Sequence, residues 1–494
     1  MSAGTAALLA LVAALVMLPS FLCGPSASHS AIYNFIWTKQ FGEAIGQGIV
    51  YPRWLPSSFE GLGAPTFYFY PPMAFWVTGA LNALGLPTLT AINVAALLVL
   101  LVSGVTMHAW LSAKGLPPVL GAILYMVAPY HLVDFWIRGA LAEFTAFIWL
   151  PLIALGIDRL PERRGAYLLA AAYAALILTH LPVAMLTGIF LIAPLVLYKA
   201  RDDRAILLPA AIAGIFAIAL ASFYLVPALL LQDHISSALL WRPYFQPSSW
   251  GLFSPMGLNQ WSLYTAIGAG IIVLAWPPRS IWSGIVAVTG LSAMGLVPFI
   301  WDLPPLSQAQ FPWRALCIGE FAAVTAVLIA RPRRRQIIAG LIVLAVPFGV
   351  TIGQAWRDLH TRIDYVDVAR TVTDAGEYLP AGFDFDHTAG DKHWPDLRAY
   401  DALDRGTDII VSRPGRVTLR HAAFPIWRVY RNDREVASTG PLITFDAVPG
   451  RYQLRRVVIW QEQVGYAISL AALCVAIFAY GMHRPRRRKL PPVN

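Results

Sequence analysis

Apolar residues in this chain fall in blocks of roughly 17 to 25, the length that carries a helix across about 30 Å of hydrocarbon. Such blocks lie near 5–23, 89–111, 117–133, 139–157, 165–179, 182–198, 205–231, 261–276, 280–300, 315–330, 336–352 and 464–481. Hydrocarbon offers no partner to a backbone amide, so each block must close its own hydrogen bonds as helix. Only 13% of the 494 residues are charged, against about a quarter in a soluble domain. A cytosolic enzyme, a disordered chain and a disulfide scaffold are excluded. Cys23, Cys317 and Cys474 sit in or beside separate blocks without pairing or metal spacing. The fold class is a polytopic α-helical membrane protein of about twelve spans.

Basic residues cluster between blocks, so the net charge of +10 is a topology signal and calls for no nucleic acid. With the N-terminus inside, Lys114, Arg159 to Arg164, Lys199 to Arg204, Arg279, Arg331 to Arg335 and the tail Arg484 to Lys489 all fall on the cytoplasmic side. The N-terminus lacks a basic n-region, so the first block is expected to be retained as a span. Segment 73–86 is apolar but short and reads as interfacial or re-entrant. The expected domains are a core over 1–352 with a large first outer loop at 24–72, an outer domain over 353–463, and a last span with its basic tail over 464–494. In the outer domain, Trp356 to Gly376 has mixed, helical patterning. Strands are expected at Val417-Thr418-Leu419, 427–430, 442–445 and 452–454, with turns at Asn432-Asp433 and Pro449-Gly450, forming a small β-sandwich.

Ionisable residues near hydrocarbon are expensive and mark partners or function. They collect on the outer face. Tyr51-Pro52-Arg53-Trp54 joins a rigid turn, a cation and an aromatic, and Phe67 to Tyr70 is an aromatic strip re-entering the bilayer. Arginine can hold phosphate through paired hydrogen bonds, and aromatics can stack on sugar faces or sit in the headgroup belt. Arg138 and Glu143 are five residues apart, about 140° around a helix, so each is expected to find its partner elsewhere. Thr179-His180-Leu181-Pro182 puts an imidazole at a helix break, and Gln310-Phe311-Pro312-Trp313-Arg314 opens a span with Pro312 in its first turn. Packing and snorkelling roles compete with functional ones at each position. No nucleotide-hydrolase, serine-esterase or zinc motif occurs.

Tyr51 to Trp54, Gly61 to Pro72, Arg138 to Glu143, His180, Gln310 to Arg314, Glu377-Tyr378-Leu379-Pro380 and Phe424-Pro425-Ile426-Trp427 together resemble bacterial YfhO-like membrane proteins. They resemble still more the relatives labelled "6-pyruvoyl-tetrahydropterin synthase-related". Nothing here offers the three-histidine zinc site of such a synthase. The family's architecture resembles GT-C glycosyltransferases, which implies sugar transfer from a polyprenyl-phosphate donor to an extracytoplasmic glycan, lipid or protein acceptor, at the bacterial cytoplasmic membrane. The first outer loop departs from that pattern. The stretch after the first span, Gly24 to Ser30, holds no acid, and Glu43 and Glu60 are the loop's only carboxylates.

These features give a set of expected roles. Arg53, Arg138 and Arg314, with His180 and Gln310, would hold the donor phosphate. Glu60 or Glu143 would be the base, with Glu43 as a further carboxylate and His29 or His180 as alternative acid/base. Tyr70, Trp313 and Trp54 would contact sugar or lipid. No metal ligand is assigned, and a divalent ion stays open as a cofactor. A non-enzymatic envelope-assembly or glycan-carrier protein is the second expectation, and a secondary transporter the third.

Overall fold

The computed structural model describes residues 1–23, 28–254, 257–275, 280–361, 374–383 and 407–481. Gly24 to Ala27, Arg279, the tail Arg484 to Lys489 and most of the Trp356 to Gly376 stretch therefore lie outside the described residues. Among the described residues, eight helices are long and apolar enough to cross a membrane: Ala3–Leu22, Thr88–Ala113, Pro118–Trp136, Leu141–Asp158, Leu181–Lys199, Pro312–Ala330, Arg334–His360 and Trp460–Phe478. The other expected spans are helical but shorter or bent. Arg163–Thr179 is 17 residues long, Leu263–Ala275 and Ile281–Ala293 are shorter apolar helices, and Arg204–Leu220 meets Ser222–Leu230 at a 70° bend. Segment 73–86 holds an 11-residue helix, Met73–Ala83.

Burial sorts these helices into centre and rim. In Leu141–Asp158 and Pro312–Ala330, 83% and 78% of the residues are buried. In Ala3–Leu22 and Trp460–Phe478 the shares are 22% and 17%, so apolar side chains there face outward, as lipid-facing helices do. The two central helices carry the polar cluster described below.

Breaks in the helices are chemically answered, as backbone at membrane depth must be. At the 70° bend, the Phe223 carbonyl would ordinarily accept from residue 227, but Pro227 has no N–H. Arg53 Nη2 donates to that carbonyl at 2.7 Å, and the Phe223 N–H goes to Ser469 Oγ at 2.8 Å. Gly465 lets the last helix reach the bend, since a Cβ there would stand 2.7 Å from the Ser222 carbonyl. In Pro118–Trp136 the chain breaks before Pro129, and Glu320 caps the new helix start by accepting from the Tyr130 N–H (2.6 Å) and the His131 N–H (3.0 Å).

The carboxy-terminal strands are β1 Thr407–Val411, β2 Gly415–Ala422, β3 Trp427–Arg431, β4 Arg434–Val436, β5 Leu442–Ala447 and β6 Gly450–Arg456. They form an antiparallel sheet in the order β1-β6-β3-β4 and a two-stranded β2-β5 sheet. The four expected strands and both turns lie where the alternation put them. Asn432 and Asp433 both take positive φ, the conformation of a tight hairpin turn. β1 and the short, charged β4 are additions. One apolar core joins both sheets to the first loop: Trp54, Phe59, Phe67, Tyr68, Tyr378, Ile426, Val429 and Leu454 belong to it.

Candidate functional site

Four chain segments deliver charged groups to one buried cluster. Gly139, at φ +60, ends one helix before Leu141–Ala146 begins. A Cβ at Gly139 would stand 2.4 Å from Ser28 Oγ, so only glycine fits both the twist and the close approach. This kink overturns the expectation that Arg138 and Glu143 point apart, because a continuous helix does not run between them. Arg138 Nη1 lies 2.8 Å from Glu143 Oε2 and 2.5 Å from Asp134 Oδ1. The same nitrogen donates to Tyr130 Oη at 2.8 Å, and the Tyr130 hydroxyl donates to Glu143 Oε1 at 2.6 Å.

Arg314 arrives from the first turn of Pro312–Ala330. Its Nε donates to Glu143 Oε2 at 3.3 Å, and its Nη1 to the Ala309 carbonyl and Gln310 Oε1, each at 2.9 Å. Gln310 takes φ +64, a strained position for a side chain with a Cβ, costing about 1–3 kcal/mol. His180 stands at the break between two helices. Its Nδ1 accepts from the Val183 N–H at 3.2 Å, so the neutral ring carries its proton on Nε2, which lies 3.9 Å from Glu143 Oε2. Trp313 stacks on Tyr264 (4.6 Å, 8°) and on Phe311 (4.8 Å, 11°), an aromatic wall beside Arg314.

Two guanidiniums thus share one carboxylate, and their other donors remain. Arg138 Nε and Nη2 and Arg314 Nη2 have no protein partner among the described residues, yet they are not sealed off. Glu143 is committed: both of its oxygens already accept. Asp134, Glu143 and Cys317 bring ligand-type atoms within 4.8 Å of one another. The set does not fit a divalent ion, because Arg138 bridges both carboxylates and Arg314 supplies a second cation.

Of the remaining sequence-selected residues, Arg53, Glu43, Glu60 and Trp54 have their partners elsewhere, while His29 and Tyr70 lie closer to the cluster. Arg53 makes no hydrogen bond or ion pair with the cluster among the described residues: its Nη2 donates to the Phe223 carbonyl, and its buried Nε and Nη1 have no hydrogen-bond partner. It lies over the Tyr51, Tyr68 and Tyr466 rings and 3.8 Å from Glu462. Glu43 pairs with Lys39 on an exposed helix face at 2.7 Å. Glu60 meets Arg420 of β2 at 3.7 Å. Trp54 stacks on His421 (5.2 Å, 2°) against the sheets. His29 is exposed, its N–H bonded to the Ile137 carbonyl at 3.1 Å, next to the Arg138 turn. Tyr70 packs against Trp37 (4.7 Å), within electrostatic reach of Arg314, Glu143 and Arg138.

Sequence reasoning passed over Tyr130, Glu320 and Asp374. Glu320 had a signal, a lone acid inside an apolar block. Asp374 had none: it accepts from Trp37 Nε1 (2.7 Å), Ser58 Oγ (2.6 Å) and Thr66 Oγ1 (3.0 Å), all more than 300 residues away.

Residues 67–360 match the 6-pyruvoyl-tetrahydropterin synthase related domain, described as a membrane protein. The chain belongs to that family. Among solved structures, this family member is similar to the arabinofuranosyltransferase AftD from Mycobacteria, at 19% identity and a TM-score of 0.46, covering 72% of this chain and 27% of that one. The R1389S variant of the same transferase gives 19% and 0.45, covering 72% and 28%. The chain therefore spans about a quarter of those proteins' length. No curated protein matches it.

Proposed function

We propose that this protein is a membrane glycosyltransferase that moves a sugar from a polyprenyl-phosphate donor to an extracytoplasmic glycan, lipid or protein of the bacterial envelope. In this reading the chain crosses the cytoplasmic membrane twelve times, with both termini inside. The observation that carries it is the pair Arg138 and Arg314, held side by side by Glu143 with N–H groups left over.

Leaving-group departure puts negative charge on the donor phosphate, and fixed guanidiniums in a dry site stabilise that charge without reorganising. Glu143 positions the two arginines. His180 Nε2–H offers a further donor on the same side. Trp313 and Phe311 supply apolar and stacking surface for prenyl chain or sugar, and Tyr70 borders the cluster from the first loop.

Lysine keeps the charge but not the forked geometry. In lipid nanodiscs, Arg138→Lys and Arg314→Lys are each expected to weaken farnesyl phosphate binding by about tenfold, the equivalent of one lost charge-assisted hydrogen bond. Unchanged affinity in both variants overturns the phosphate role. A carrier that holds a lipid-linked glycan without turnover is the second reading, favoured by the distance of Glu43 and Glu60 from the cluster. Donor binding without transfer would select it.

A further inference from the structure

Resting on the transferase reading, we propose that Glu377, in the Gly376–Tyr378 turn, is the catalytic base that takes the acceptor hydroxyl's proton. The first loop places no carboxylate at the arginine cluster, and Glu143 is saturated, so transfer lacks a base from those sources. Glu377 comes instead from the segment before the sheets.

Its turn is fixed at both ends. On one side Asp374 is tied to Trp37, Ser58 and Thr66 and caps the Ala375 N–H at 2.7 Å. On the other, the Leu379 carbonyl accepts from the Ser236 N–H at 2.8 Å, and the Ala381 N–H donates to the His234 carbonyl at 3.1 Å. The Tyr378 ring lies parallel to Phe69 (6.3 Å, 13°) and beside Trp37 (6.3 Å). Between these anchors the Glu377 side chain is half-buried and makes no ion pair among the described residues.

Its carboxylate accepts from its own backbone N–H and lies within electrostatic range of Asp374, Tyr33, Tyr70 and Tyr378. Tyr70 and Tyr378 both pack on the Trp37 ring (4.7 and 6.3 Å). One turn earlier on the Trp37 helix, Asn34 Nδ2 donates to the Gly139 carbonyl at 2.6 Å, beside Arg138, so that helix joins the Glu377 turn to the arginine cluster. Burial, reinforced by Asp374, pushes the Glu377 carboxyl up to about 7, which suits a base working near neutrality. A groove of about 460 Å³ opens just past the turn, lined by Asp233, His234, Pro380, Phe424, Trp427 and Arg428. Its aromatic and polar walls suit a saccharide acceptor.

The step balances. The acceptor oxygen bonds to the anomeric carbon, and the carbon–oxygen bond to phosphate breaks with its electron pair leaving on the polyprenyl phosphate. The hydroxyl proton passes to Glu377 and then to water.

The test uses the full chain in nanodiscs with a panel of short-chain polyprenyl-phosphate monosaccharides. Release of polyprenyl phosphate is followed with water, and with added oligosaccharides, as acceptor. Glu377→Gln is expected to slow release by about a hundredfold or more with farnesyl phosphate affinity unchanged. Glu377→Asp should retain part of the rate and shift the acid limb of the pH profile, which for the unaltered protein is expected near pH 7. Full turnover in E377Q overturns this assignment alone. So does a loss of phosphate affinity that matches the loss of rate, since that marks a structural role. No turnover by the unaltered protein on any donor overturns the transferase reading and this base with it.

Discussion

Glu143 is the residue on which the cluster balances. Removing one partner from a buried ion pair costs about 3–5 kcal/mol, mostly because the other charge is left uncompensated. Here one carboxylate serves two guanidiniums and the Tyr130 hydroxyl, so its effects should be non-additive with theirs. Glu143→Gln and Arg314→Gln are each expected to lower the thermal unfolding midpoint, and the double variant should fall by less than their sum. The expected coupling is about 1–3 kcal/mol, read from a double-mutant cycle in nanodiscs. Strict additivity would mean that the two side chains do not share the energy their geometry implies, and the strut role of Glu143 would fail.

At the scale of helices, the bend at Ser222 explains why Arg53 belongs to packing. Pro227 orphans the Phe223 carbonyl, and Arg53 answers it. Arg53→Met should therefore cost about 1–3 kcal/mol for a buried unsatisfied acceptor, with farnesyl phosphate binding unchanged. Pro227→Ala restores an N–H at the right spacing, so the same Arg53 substitution should cost less in that background. Equal losses of midpoint in both backgrounds would dismiss the account. This bend also shows what a sequence can and cannot say. Local chemistry was readable: the break at His180, the helix start at Pro312, the hairpin at Asn432-Asp433. The Gly139 kink was not, because a glycine inside an apolar run looks like any small packing residue until a neighbour, here Ser28, is known. Arg53 and Asp374 were unreadable for a stronger reason. Their partners lie 170 and more than 300 residues away, and no periodicity records a contact at that separation.

Across the whole molecule, the first loop and the sheets are stitched into one core, and His421 gives that seam a pH dependence. The ring stacks on Trp54 and meets Trp427 edge-on at 4.7 Å, with Nδ1–H donating to the Ala422 carbonyl at 2.8 Å. Burial pushes its pKa from 6.5 to about 4. The unfolded chain therefore binds a proton below about pH 6.5 that the folded protein refuses until about pH 4. Stability from this residue is complete above pH 6.5 and declines as pH falls through that window, by up to about 3 kcal/mol. Asp374 and Glu377 are shifted upward and so contribute with the opposite sign, binding protons more readily when folded. The difference between His421→Phe and the unaltered protein isolates the histidine. Phenylalanine keeps the stack on Trp54 and removes the titration, so the gap between their unfolding midpoints should shift in favour of the variant from pH 7 to pH 4.5. A gap that stays constant would show that the ring is not held neutral in this seam, and that the sheets dock on the first loop less tightly than their shared core requires.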